Sequence, residues 1–181
     1  MYRLRELEYK DLEEINKWRN DKDIIDQLGA PFRFINFKVD EIWFDNYMKN
    51  RSSNVRCSII DDESKLIGLV SLTGINMLNQ SADFHIMIGN KESQGKGAGT
   101  FAVKEILNHA FNNLNLHRVE LTVLKNNERA MKLYEKSGFK REGTLRQVYY
   151  KNGSFVDAYI YSILKDEYLT LWGQAVRPAR A

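Results

Sequence analysis

Gln94-Gly95-Lys96-Gly97-Ala98-Gly99-Thr100 is a stretch suited to hold an anion with main chain rather than side chains. Glycines at 95, 97 and 99 leave the backbone bare at alternate positions, so a ligand can approach it closely. The stretch follows a strand-like run, Ala82-Asp83-Phe84-His85-Ile86-Met87-Ile88, and leads into a long amphipathic segment. At a helix start the unpaired N–H groups and the positive end of the dipole favour phosphate. Two familiar phosphate loops do not fit. A Walker A loop reads G-x-x-x-x-G-K-[ST]; here Gly89 to Gly95 is one residue too long, and Gly97 stands where a hydroxyl would hold magnesium. The dinucleotide fingerprint G-x-G-x-x-G fails because these glycines alternate and begin well after the strand ends. A glycine-rich turn with no ligand remains open on the loop alone.

Four other residue types could do chemistry. Asp83 and His85 share one face of their strand with Met87, and the imidazole is the better base of the two at neutral pH. Either can equally be a polar residue on a sheet face. Tyr134 carries a phenol with a pKa of about 10, protonated at neutrality and able to donate to a forming anion. Ala130, Leu133 and Ser137 share its helix face, so a packing role is also open. Cys57 is the sole thiol; it lies in an apolar run and reads as a buried structural cysteine. His109 and His117 stand at no metal-ligand spacing, so no metal site is read.

The elements that position these residues follow from periodicity. Tyr2–Glu8 reads as a first strand and Asp11–Asn20 as a helix with acids in its first turn. Residues 38–50 suggest a second helix, with Val39, Ile42, Trp43 and Tyr47 on one face. Val55–Ile60 and Leu66–Ile75 read as strands joined by Asp61-Asp62-Glu63-Ser64. After the strand at 82–88 and the glycine loop, a helix over about 97–114 carries Val103, Ile106, Leu107, Ala110, Phe111 and Leu114 on one face. His117–Leu124 alternates as a half-buried strand, with Val119, Leu121 and Val123 inward. The tyrosine helix stops at Gly138, with Asn127 as a natural N-cap. Phe139–Tyr150 and Phe155–Leu164 flank Asn152-Gly153, a hairpin signal. Helices between strands, with a hairpin at the end, imply an α+β fold: a mixed sheet with helices on its faces.

The chain has 181 residues, enough for a single domain with a real core; residues 1–172 are assigned to it. Residues 173–181 read as an unstructured tail or a cloning scar. A lone cysteine suits a reducing cytoplasm, and neither a signal peptide nor an apolar run of membrane-spanning length is present. A cytoplasmic protein with no membrane partner is expected. The net charge of +3 is unevenly spread: residues 1–50 carry 9 Lys and Arg against 11 Asp and Glu, and residues 91–181 carry 15 against 9. An anionic cofactor would suit the basic part and a cationic acceptor the acidic one, although both also read as solvated faces. No interleaved basic and aromatic run points to nucleic acid.

Gln94, Gly97 and Gly99 satisfy the pattern Q-x-x-G-x-G, and Asn127, Ala130, Leu133, Tyr134, Gly138 and Phe139 satisfy N-x-x-A-x-x-L-Y-x-x-x-G-F. Together, in this order, they resemble the GNAT superfamily of N-acetyltransferases over roughly residues 66–164. The resemblance implies a three-layer α/β/α arrangement with a mixed, mostly antiparallel sheet, and parallel strands that splay to admit a pantetheine arm. It implies acetyl-CoA as cosubstrate, no metal, and direct attack by an amine acceptor in a ternary complex. Gln94, Gly95, Lys96, Gly97, Ala98, Gly99 and Thr100 would hold the pyrophosphate. Met87 and Ile88 would offer backbone N–H groups to the thioester and pantetheine, and Asn127 would bond the arm. Tyr134 matches the family's general acid. Asp83 stands where several members carry a glutamate that helps deprotonate the amine. The region Gly68–Leu169 is similar to spermidine, amino-sugar-nucleotide and ribosomal-protein Nα-acetyltransferases. Leu28–Phe34 lacks the acidic cluster a tight polyamine site would want, which favours a small primary amine, such as one on a sugar nucleotide. A protein N-terminus as acceptor, a non-catalytic acetyl-CoA-binding module and a protein for another nucleotide are the rival readings. Assembly, a homo-oligomer included, is left open.

Overall fold

The computed structural model describes residues 1–173. Seven strands, β1 (Arg3–Glu6), β2 (Val55–Ile60), β3 (Leu66–Asn76), β4 (Ser81–Met87), β5 (Arg118–Leu124), β6 (Lys140–Lys151) and β7 (Ser154–Leu164), form one sheet in the order β1-β2-β3-β4-β5-β7-β6. Every neighbouring pair is antiparallel except β4 and β5. This is the expected α+β architecture with helices on both faces. The expectation of a loose tail over 173–181 lies, Gly173 apart, outside the described residues.

One face carries α1 (Leu12–Arg19), the short α2 (Lys22–Ile25) and α3 (Phe37–Lys49). In α1, Leu12, Ile15 and Trp18 are buried at helical spacing, with acids in the first turn and bases in the last. The other face carries α4 (Ala98–Asn108), α5 (Glu128–Lys136) and α6 (Lys165–Trp172). Ala102, Val103, Ile106, Leu107, Ala110 and Phe111 pack from α4 and its wider closing turn onto Val70, Leu72, Phe84, Val119, Leu121 and Val123 of the sheet. The sequence reading took α4 through residue 114. The regular helix ends at Asn108, and a π-type turn over His109–Asn113 closes it, with the Leu114 N–H on the His109 carbonyl at 3.0 Å.

The apolar face read for α3 needs correction. Val39 and Ile42 are 48% and 50% exposed, while Asp40 is fully buried with Tyr47. The carboxylate of Asp40 meets the Arg19 guanidinium and accepts a hydrogen bond from the Asn16 amide at 2.6 Å. A buried charge has to be paired, and these partners on α1 rotate the helix away from its most apolar stripe. Two helices absent from the sequence reading, α2 and α6, depend on tertiary packing. Tyr168 of α6 is buried against Phe111, ring centres 5.0 Å apart.

Arg118 and Glu142 fasten β5 to β6 across β7. Glu142 accepts from Arg118 at 2.8 and 2.6 Å and from the Ser162 hydroxyl at 2.7 Å. These bonds, Arg118's first, hold the Glu142 carboxyl down at about 2, against an ordinary 4.5. A depressed carboxyl contributes stability above its unfolded pKa and loses it as pH falls through its folded one. The expected result is that the difference in melting temperature between the wild type and Glu142→Gln, followed by circular dichroism, shrinks as pH drops from 5 towards 2.5. An unchanged difference would remove the pair from the stability of the sheet.

Candidate active site

The parallel contact between β4 and β5 is short. Ser81 pairs with Arg118, Ala82 with Val119 and Asp83 with Glu120, and there the ladder stops. Beyond it β4 stays on β3 as far as Met87 opposite Leu69, while β5 stays on β7 as far as Leu124 opposite Ala158. The two strands therefore diverge. A cavity opens in the fork, lined by Asp83, Phe84, His85, Glu120, Leu121, Thr122 and Ile160. Open backbone at the centre of a sheet is costly unless something pairs with it, so the fork is a slot for an extended ligand with amides of its own.

The glycine loop lies beyond the end of β4, at the start of α4. Gly95 and Gly97 have φ of +79° and +90°, and Gly97 is the residue preceding the helix. Among the described residues, none of the six N–H groups from Gly95 to Thr100 has an acceptor in the chain; the first bond is from Phe101 to the Gly97 carbonyl at 3.0 Å. Space beside Gly97 is open, with nothing within 4 Å of the position a Cβ would take. Three contacts hold the loop in place. Gln94 donates to the Ile88 carbonyl at 3.0 Å, Arg129 of α5 donates to Gln94 at 2.8 Å, and the Tyr2 hydroxyl donates to the Lys96 carbonyl at 3.1 Å. The Ile88 N–H, at the mouth of the fork, is likewise without an acceptor among the described residues. This donor set fits a diphosphate at the loop and a thioester carbonyl near Ile88.

A test of the loop follows. Gly97→Asp places a carboxylate among the unpaired N–H donors at the start of α4, where it would repel a phosphate, and forces a side chain into left-handed backbone. These effects cost roughly 1 kcal/mol or more each. Calorimetry should show the dissociation constant for CoA rising by at least about tenfold, and Gly97→Ala, which carries the strain without the charge, should lie between. CoA affinity unchanged in both would mean that phosphate binds elsewhere.

Tyr134 stands behind the fork on α5. Its ring is buried, meeting Phe84 edge-on at 6.0 Å and Phe139 at 5.8 Å. Its hydroxyl makes no hydrogen bond within the described chain, yet it is not among the sealed, unpartnered polar atoms. Burial raises the phenol's pKa well above its ordinary value. On the opposite face of the sheet, Asp83 and His85 are exposed side by side on β4, as their alternation required. The His85 ring is 2.9 Å from the Thr73 hydroxyl. Protein packed around the ring, open though it is to the cavity, partly desolvates it and lowers its pKa, against the raising influence of Asp83; Arg56 lowers it further. At neutral pH it is therefore the free base. Cys57 is pushed up to about 11 by burial, which makes it inert as a nucleophile.

Asn127 caps α5, accepting from the Ala130 N–H at 3.1 Å, and its amide also donates to the Gln27 carbonyl at 3.0 Å. It thus ties the helix to the segment after α2 at the edge of the site. The sequence reading missed Glu120 and Thr122. They alternate with Val119, Leu121 and Val123, so the outward face of β5 was visible as polar, but its position against Asp83 needed the strand order. Thr122 shares a hydrogen bond with Tyr149 of β6 at 3.0 Å. Arg56 of β2 was also missed.

Residues 2–140 match the family model described as an acetyltransferase (GNAT) domain. Spermidine N(1)-acetyltransferase of Vibrio cholerae is 34% identical over 167 residues, 92% of this chain and 94% of the relative. That of Escherichia coli K12 is 31% identical over 168 residues, 92% and 88% of the two chains. The crystal structure of the Vibrio cholerae spermidine N-acetyltransferase in complex with CoA and spermine superposes with a TM-score of 0.88 at 33% identity, covering 93% of this chain and 98% of that one. No helix among the described residues is long and apolar enough to cross a membrane.

Proposed function

The chain belongs to the GNAT acetyltransferases and takes acetyl-CoA as its acyl donor, and from that premise we propose that it acetylates a small primary amine by direct attack, with Tyr134 behind the departing sulfur. The observation that carries the reading is the fork between β4 and β5, with free N–H donors at one end and a phenol behind it.

In this reading the loop from Gln94 to Thr100 holds the diphosphate with main-chain donors, and Met87 and Ile88 align the arm and polarise the carbonyl. Asn127 bonds the arm from the other strand's side. Holding both reactants in one slot converts the encounter into a unimolecular step. The amine enters from the face of Asp83, His85, Glu120 and Thr122. His85, kept neutral by its surroundings, or Asp83 through water, takes the proton that makes the amine nucleophilic. Tyr134 donates to sulfur as the carbon–sulfur bond breaks.

A polyamine is a second reading of the acceptor, favoured by the names of the two bacterial relatives. Both readings meet one experiment: thiol release from acetyl-CoA against polyamines, amino-sugar nucleotides and peptide N-termini. Turnover with the first two classes supports a small-amine enzyme. Turnover with peptides alone would move the acceptor to a protein N-terminus, and CoA binding with no turnover would leave a non-catalytic module.

A further inference from the structure

Among the described residues, Arg56 of β2 is the half-buried arginine that has no acidic partner. Its guanidinium has, among the same residues, no salt bridge and no hydrogen-bond acceptor; its Nε is sealed from solvent without a partner. The group is 5.0 Å from the Trp43 ring centre and 5.9 Å from that of Tyr47, so α3 walls it in with aromatic faces. Carboxylates on the surrounding elements are already engaged. Glu6 is held by Arg51 at 2.7 and 2.9 Å and by Tyr47 at 2.7 Å. Asp11 is held by Arg5 at 2.8 and 2.6 Å, and Asp40 by Arg19. Arg19 lies over the same Trp43 ring, at 5.7 Å. Tyr47 is a neutral phenol and offers no countercharge. A partly desolvated cation with aromatic faces but no carboxylate beside it is costly to keep in a fold and marks a place where an anion is expected.

Its position relative to the fork is set by register. Arg56 is opposite Ser71, and Ser71 is opposite His85. Directly opposed residues of antiparallel strands point to the same face, so the three form one row on the acceptor face. The Ser71 hydroxyl between them has no hydrogen-bond partner in the described chain. Two strand spacings put Arg56 on the order of 10 Å from His85 at the fork. The site is therefore bipolar: Asp83 and His85 where the amine reacts, with Glu120 beside them paired to Arg118 at 2.8 Å, and an unpaired guanidinium a short chain's length away. The segment Leu28–Phe34, which follows α2, contains Arg33 and no carboxylate.

We propose that Arg56 sets acceptor specificity by binding an anionic group, a carboxylate or a phosphate, on the same small molecule whose primary amine reaches the fork between β4 and β5. The inference rests on the acetyl-transfer reading and narrows its acceptor to an amine carrying an acidic group rather than a polycation. A planar guanidinium with free donors matches both anions bidentately.

The test compares acceptors of matched length in the thiol-release assay: 1,5-diaminopentane, 6-aminohexanoate and 5-aminopentyl phosphate. The expected result is a kcat/KM at least tenfold higher for one or both anionic amines, with the faster of the two identifying the anion. Arg56→Gln should collapse that ratio through KM rather than kcat, and Arg56→Lys should restore part of it. A purely structural arginine would lower all three rates together, and that outcome, or a wild-type preference for the diamine, overturns the proposal. If no amine turns over, the acetyl-transfer reading is what fails, and calorimetry with 6-aminohexanoate and inorganic phosphate on the CoA complex then decides the anion site alone. Heat lost in Arg56→Gln, with its CoA binding and melting curve intact, supports the site; equal heat in both proteins, or none in the wild type, removes it.

Discussion

Tyr134→Phe is expected to lower kcat on the order of 100-fold while leaving the dissociation constant for CoA unchanged. The ring sits against Phe84, Phe139 and Tyr161, so its packing survives loss of the hydroxyl. Only the donor disappears. Burial keeps this phenol protonated across the working pH range. The same shift makes it a weaker acid than a free tyrosine, while a thiol has a pKa near 8.5. Complete proton transfer to the thiolate is therefore uphill. The gain comes from a hydrogen bond that strengthens as charge develops on sulfur, with the acetylated amine supplying the balancing proton. Single-turnover kinetics at saturating CoA measure this directly. Two outcomes would remove Tyr134 from the reaction: a rate within a factor of two of wild type, or a loss confined to KM for acetyl-CoA. A basic limb assignable to tyrosine ionisation is not expected below about pH 10.

The second large effect is expected at a main-chain contact rather than at a side chain that takes part in proton transfer. Gly68 of β3 runs under the end of β4. A Cβ there would press into the Met87 carbonyl oxygen and come within 3.1 Å of the Ile88 Cα. Both obstacles are main chain, which cannot rotate away as a side chain can. Overpacking of this kind costs about 1–3 kcal/mol, equivalent to roughly 3–10 °C for a chain of this size. The damage falls on the residues that open the fork. A displacement of about 1 Å there can cost 100-fold in rate, so Gly68→Ala should lose activity out of proportion to its stability. Thermal unfolding and kcat, measured together, separate the two. A variant with normal activity and normal melting would show that the close approach at Met87 does not shape the site.

Much of this site was legible in the chain because it consists of main chain and local pattern. Alternate glycines between an apolar run and an amphipathic segment are visible in one dimension, as is a tyrosine at fixed distance from an N-cap asparagine. The alternation Asp83-Phe84-His85 placed two titratable groups on one face, and the structure keeps them there. Periodicity also separated the buried faces of α4 and β5 correctly, since each packs on the large core, where apolar area decides orientation.

Pattern alone could not decide where a polar interaction outweighs apolar area, or where partners lie far apart in sequence. Val39 and Ile42 were read on one face with Trp43 and Tyr47, but Asp40 turns α3 because Arg19 and Asn16 meet it from another helix. Glu120 belongs with Asp83, and Arg56 with His85, only because strand order and register bring them together across separations of 37 and 29 residues. The chain by itself determined the donor cradle, the family and the tyrosine of α5 that the proposal uses, since each is written in contiguous stretches whose spacing has a local physical meaning. The fork, the charges facing it and the guanidinium left without a partner were decided by the tertiary structure, because a charge is spare only once every neighbour that could neutralise it has been placed.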